Sequence, residues 1–135
     1  MNYHLLRDGF TKHVIEVLGP RLQRVSPDFY YGTVTAEELL KAVEKIPPAN
    51  YGDRHNGAPR LRDFVEVAEQ EPRALFEVYV VTELREDERL TVDGALVPLD
   101  RGDLIKHLLQ KAKAFPDELD VIAENGVEYM RMWWD

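Results

Sequence analysis

The sequence predicts an α+β fold: a helical N-terminal half followed by a mostly antiparallel sheet of up to five strands in β-β-β-α-β-β order. Three observations predict it. Apolar residues recur at helical spacing in three segments before residue 72; the period shortens to two from Ala74 onward; and two pairs, Asp93-Gly94 and Asn125-Gly126, carry the chemistry of two-residue hairpin turns. With 135 residues and 44% hydrophobic content, one domain spanning residues 1–135 is expected, 1–72 mainly helical and 73–135 sheet plus one helix.

The first helix is predicted over about Tyr3 to Leu18, where Leu6, Phe10, Val14, Val17 and Leu18 share a face and Gly9 is a weak point. Between Arg21 and Thr33 no period is regular. There Ser26-Pro27-Asp28 reads as the start of a helical turn, with Ser as cap and Pro at the first position. Thr35 and Glu38 form a capping box, stapled by Val34 and Leu39, for a helix whose buried stripe is Ala36, Leu39, Leu40, Val43 and Ile46. A third helix follows Pro59, with Leu61, Phe64, Val65 and Ala68 on one face and an end near Glu71.

The segment Ala74 to Leu84 alternates as a strand, placing Phe76, Val78, Val80, Thr82 and Leu84 on one side. Asp93-Gly94 predicts a hairpin between Arg89–Val92 and Ala95–Leu99. Asp100 is the predicted cap of a fourth helix with the stripe Leu104, Ile105, Leu108, Leu109 and Ala112, ended by Phe115-Pro116. Asn125-Gly126 closes a last hairpin. Its register opposes Glu124 to Val127, Ile122 to Tyr129 and Asp120 to Arg131, and puts Leu119, Val121, Ala123, Met130, Met132 and Trp134 on the other face.

Composition narrows the function classes. With no cysteine, disulfide frameworks, thiolate metal sites and cysteine nucleophiles are excluded. No apolar run approaches a membrane span, so a cytoplasmic protein is expected. Fourteen Glu and eleven Arg against four Asn and three Gln match the balance of thermostable proteins. The net charge of −8 is uneven: residues 1–62 hold nine basic and seven acidic side chains, residues 63–135 eight and eighteen. General nucleic-acid binding is disfavoured, and an anionic partner is expected at the N-terminal half. Single-stranded nucleic acid on that half is a third option.

Pro47 to Pro59 is a long connection between two helices, and such loops often carry function. His55 can act as acid or base with Asp53 to orient it, and Arg54 and Arg60 add positive charge. Asn56 and Gly57 complete a ligand-binding group, Gly57 allowing close backbone approach just before a helix N-terminus that favours anions. The plainer alternative is a solvated loop whose Gly, Asn and Pro residues serve turns.

The acidic run Glu83, Glu86, Asp87, Glu88, with Asp93, Asp100 and Asp103 further on, is interleaved with Arg85 and Arg89 and matches no calcium loop, so it reads as a solvated face. The histidines at 4, 13, 55 and 107 lack metal-ligand spacing, His107 reads as structural, and no metal site or cofactor is expected. Phosphate-cradling glycine loops, dinucleotide fingerprints and nucleophile elbows are absent.

Ile122, Val127, Tyr129 and Trp133 share one face of the last hairpin and form a candidate interface patch, unless the N-terminal helices cover it. Two functions follow as expectations. The first is an intracellular interaction domain that self-associates or binds a protein partner. The second is a small enzyme or binding protein for an anionic metabolite or nucleotide that uses the 47–62 loop.

Overall fold

The structure, a computed structural model, describes residues 9–135. It is a mixed helix and sheet fold built on one six-stranded antiparallel sheet. In chain order the elements are α1 (Thr11–Leu18), β1 (Leu22–Ser26), β2 (Phe29–Thr35), α2 (Ala36–Ala42), α3 (Leu61–Gln70), β3 (Leu75–Val81), β4 (Arg89–Pro98), α4 (Gly102–Lys111), β5 (Glu118–Glu124) and β6 (Val127–Trp133). The strands lie in the order β1-β2-β3-β4-β6-β5.

The N-terminal half is therefore not only helical. Ser26-Pro27-Asp28 starts no helix: it turns β1 into β2, and the Ser26 hydroxyl donates to Asp28 Oδ1 at 2.6 Å. Ser-Pro-Asp suits a β-turn as well as a helix start, and pairing of Phe29–Thr35 with β3 along its whole length decides between them. Gly32 is needed at this junction, because a Cβ there would run into the carbonyl oxygen of Arg21.

Asp93-Gly94 is likewise not a hairpin turn. Residues 89 to 98 form one continuous strand, and Asp93 is an extra residue in it: Glu77 opposes Gly94 while Val78 opposes Val92. A type I′ turn needs positive φ at both central residues, which Asn125 (51°) and Gly126 (79°) supply in the last hairpin. Neither Asp93 nor Gly94 has positive φ. The result is a β-bulge, and four strands precede α4 in place of three, two of them in the N-terminal half.

Helices fall where their sequence signals lie. The Thr35–Glu38 capping box forms with both hydrogen bonds, 3.1 and 2.9 Å. Of the first predicted helix only Thr11–Leu18 is helical among the described residues, and Leu6 lies outside them. Asp100 does not cap α4; it pairs with Arg73 at 2.8 Å, and the helix begins after Arg101 without a side-chain cap. Thr82 and Leu84 leave the strand line, since the chain turns after Val81 and the Thr82 amide donates to Asp28 O.

All four helices feed one core on one face of the sheet, where Val14, Leu39, Phe64 and Leu108 meet Phe76, Val78, Val80, Leu90, Met132 and Trp134. Phe64 packs edge-on against both Phe76 and Trp134, at 6.2 and 6.3 Å. The Trp134 indole N–H donates to Ala114 O at 2.9 Å, so a fully buried indole keeps its polar atom satisfied. No helix among the described residues is long and apolar enough to cross a membrane.

Candidate functional site

The opposite face carries Phe29, Tyr31 and Thr33 of β2, Glu77 and Tyr79 of β3, and Arg131 and Trp133 of β6, aligned by the strand registers. Over part of it lies the 47–60 loop. That loop runs along β4 before β6 begins to pair with it at Gly94. Asn50 anchors it: buried to 3% exposure, its amide donates to Leu90 O at 2.7 Å and accepts from Leu90 N at 2.9 Å, so a side chain takes the place of the missing strand neighbour. A turn then closes with Ala58 N donating to His55 O, Asn56 at its apex in the left-handed region (φ 49°) that Asn tolerates.

This geometry delivers His55 onto the sheet. Its ring packs against Tyr79 at 5.2 Å, and Tyr79 in turn packs on Phe29 at 5.5 Å. The three rings line a cavity of about 600 Å³ whose other walls are Asp53, Arg54 and Asn56 of the loop and Arg85, Asp87, Glu88 and Arg89 of the following connection and strand. Burial and the Arg89 guanidinium push the His55 pKa below its ordinary 6.5, with Asp135 acting in the other direction. The imidazole is thus held neutral at pH 7, on a wall that carries three guanidinium groups.

Those cations are arranged unequally. Asp87 takes both Arg85 (2.8 Å) and Arg89 (2.7 Å), and the two guanidinium groups hold its carboxyl down at about 2. Arg85 also stacks over Phe29 at 5.1 Å and approaches Asp28 at 3.8 Å. Arg54, by contrast, has no carboxylate partner among the described residues. It is the cation best free to meet a ligand.

The predicted residues of this loop separate into two sets. Asp53, Arg54, His55 and Asn56 line the cavity. Gly57 and Arg60 do not. The Gly57 carbonyl accepts from the Lys113 and Ala114 amides, and a Cβ on it would press on Ala114, so its close backbone approach is to the end of α4. Arg60 is exposed and its amide donates to Asp63 Oδ2 at 3.0 Å, which caps the α3 N-terminus from within. Asp53 does not orient His55; its carbonyl accepts from Leu61 N, and Tyr79 holds the imidazole instead.

A second cavity of about 370 Å³ adjoins the first across Tyr79 and is lined by Tyr31, Glu77, Asp93, Arg131 and Trp133, among others. The bulge aims the Asp93 carboxyl into it. Because Gly94 puts no side chain between β3 and β6, Arg131 reaches across to Glu77 in a two-pronged pair, 2.9 and 3.0 Å, and also binds Glu118 rather than its cross-strand neighbour Asp120. Asp93 accepts from the Trp133 indole at 3.3 Å, while its other oxygen is buried with no partner. Burial first, and the nearby Glu77 charge second, push its pKa up to about 6. The sequence places this carboxyl in a turn near a solvated acidic run, and the bulge instead buries it.

Of the predicted interface residues, Tyr129 is only 6% exposed and donates its hydroxyl to Arg73 O; Trp133 is tied to Asp93; Ile122 and Val127 are half-buried. The exposed apolar side chains near the β5 edge of the sheet are Val121 and Leu119 on the other face of β5, and Phe115 before it. Comparison with known protein families, curated proteins and solved structures finds no match.

Proposed function

We propose that this protein binds a small anionic ligand with a planar group, of the nucleotide class, in the cavity formed by His55, Tyr79 and Arg54. One observation carries the reading: a concave site of about 600 Å³ in which aromatic rings, a half-buried imidazole and three guanidinium groups converge from four separate parts of the chain. Rings offer a stacking surface for a base, and guanidinium groups offer forked donors for phosphate oxygens. Asp53, Asp87 and Glu88 balance the formal charge, which favours a ligand with hydrogen-bond donors as well as a phosphate over a bare polyanion.

The test is titration with AMP and with pyrophosphate, followed by calorimetry and by the NMR signals of Tyr79. AMP is expected to bind, and Arg54→Ala to weaken it about tenfold through one lost charge-assisted contact. Protonating His55 adds a positive charge beside the anion, so affinity should rise as pH falls from 8 to 5.5, relative to His55→Gln measured at the same pH values. If AMP at millimolar concentration leaves the Tyr79 signals unmoved, the reading fails.

A second reading, a self-associating interaction domain, is supported by a different observation: β5 is an edge strand whose Val121 (58%) and Leu119 (39%) are exposed, next to Phe115 (72%). Light scattering over a wide concentration range tests it. A dimer that Val121→Glu dissociates supports this reading, and a monomer at every concentration removes it.

A further inference from the structure

On the helical side of the sheet, away from both cavities, α3 and α4 lie side by side. Asp63 and Glu66 are three residues apart on α3, hence on one face and one turn from each other. His107 of α4 faces them. One donor atom from each of the three side chains lies within 4.8 Å of the other two. We propose that Asp63, Glu66 and His107 form a binding site for a divalent transition-metal cation of the Zn²⁺ class.

The imidazole supplies the argument beyond proximity. His107 Nε2 is buried and has no hydrogen-bond partner among the described residues, although Glu66 Oε2 is only 3.3 Å away. A buried ring nitrogen left without a donor or acceptor is costly, and a cation seated between it and the carboxylates removes that cost. Donor atoms of two different residue types, from two helices, gathered within 4.8 Å are what a metal needs and more than a simple ion pair requires.

Asp63 has the rigidity of a ligand. It is 6% exposed, and its Oδ2 accepts the Arg60 amide at 3.0 Å, which fixes the carboxyl and leaves lone pairs for a metal. Glu66 is about half exposed and His107 about a third, so an ion can enter from solvent and water can complete its shell. One nitrogen and two carboxylate oxygens suit Zn²⁺, Co²⁺ or Ni²⁺; the nitrogen makes the set a poor one for Ca²⁺ or Mg²⁺, which prefer oxygen alone. Donor atoms in a tetrahedral zinc site lie roughly 3.3–3.5 Å apart, given bonds of about 2.0–2.2 Å, so closing on the ion requires a rotamer adjustment of the exposed Glu66.

The experiment is a titration of the whole, metal-free protein at pH 7.5 with Co²⁺ followed by its visible absorption, then displacement by Zn²⁺, with thermal melting as a second readout. One Co²⁺ per chain is expected, displaced by one Zn²⁺, with melting raised by about 10 °C at a hundredfold excess over Kd. His107→Gln and Glu66→Gln should each weaken binding at least tenfold, with the melting shift of each variant taken against its own melting in EDTA. His13→Gln, on α1, should bind as the parent does, and millimolar Mg²⁺ or Ca²⁺ should leave melting unchanged. Absence of saturable Co²⁺ or Zn²⁺ binding up to a millimolar, or equal binding by the parent and His107→Gln, overturns the proposal.

Discussion

Asn50→Ala is expected to destabilise the protein by about 3–4 kcal/mol and to lower its melting temperature by roughly 10 °C or more. Both hydrogen bonds of the Asn50 amide go to the Leu90 backbone, at 2.7 and 2.9 Å, and Leu90 is fully buried. Truncation removes two bonds and strands a backbone N–H and C=O away from water, which is the expensive way to lose a hydrogen bond. The methyl group of Ala cannot reach Leu90, and the site lies away from bulk solvent, Asn50 being only 3% exposed.

The consequence extends to function, because Asn50 holds the loop that carries His55 onto Tyr79. Urea unfolding measures the first effect; hydrogen exchange of the Leu90 amide and AMP affinity measure the second. Asn50→Asp keeps an acceptor for Leu90 N–H but loses the donor and adds a buried charge, so it should be no milder. A loss below about 1 kcal/mol in Asn50→Ala means that the anchor is dispensable.

Asp93→Asn should act in the opposite direction, raising stability at pH 7 by about 2 kcal/mol. The Asp93 carboxyl titrates at about 6 in the folded chain against 3.8 ordinarily. A raised carboxyl pKa means that the folded state binds the proton more tightly than the unfolded state. Its unfavourable contribution is therefore absent below about pH 4, grows as pH rises toward 6, and is complete above it. A shift of that size corresponds to an upper value of about 3 kcal/mol, reduced for partial solvent access.

Asparagine keeps the shape and an acceptor for the Trp133 indole. It also replaces the unpartnered oxygen with an amide that can donate toward Glu77. The gain of the variant should disappear at pH 4. Comparing variant with parent at each pH cancels the contribution of His55, whose depressed pKa costs stability as pH falls below 6.5. Equal stability of the two proteins at pH 7 would show that Asp93 is solvated in solution. A carboxyl kept at such a cost on a cavity wall is how sites of function commonly look.

Sequence and structure part at identifiable residues. The Asn125-Gly126 turn, its positive φ values and every paired residue of the last hairpin were readable, because a two-residue turn fixes the register of both strands. The Thr35 capping box and the stripes of α3 and α4 were readable for the same reason: their signals lie within one or two helical turns.

β1 and β2 were not. At the sheet edge the residues Leu22–Ser26 are mostly exposed, so no alternation of apolar and polar side chains marks them. Asp93-Gly94 carries the same local chemistry as Asn125-Gly126, yet becomes a bulge because the residues on both sides of it find partners in β3 and β6. Of the candidate site, the loop residues 53–56 were legible as an unusually long connection rich in charge and a histidine. Phe29, Tyr79, Arg85 and Arg89 were not, since each belongs to a different element.

By itself the sequence determined the mixed helical and antiparallel class, the Thr35–Glu38 capping box, the terminal hairpin and the segment that bears His55. Each of these depends on backbone conformation and side-chain period over fewer than about a dozen residues. Only the tertiary structure decided that Asp93 is a buried acid rather than a turn residue, that Gly57 and Arg60 serve the chain itself, and that His55 meets Tyr79. The pairs Asn50–Leu90, His55–Tyr79 and Asp93–Trp133 depend on which strand edge is left open and which side chain fills it, and they join residues 24 to 40 positions apart that no local pattern relates.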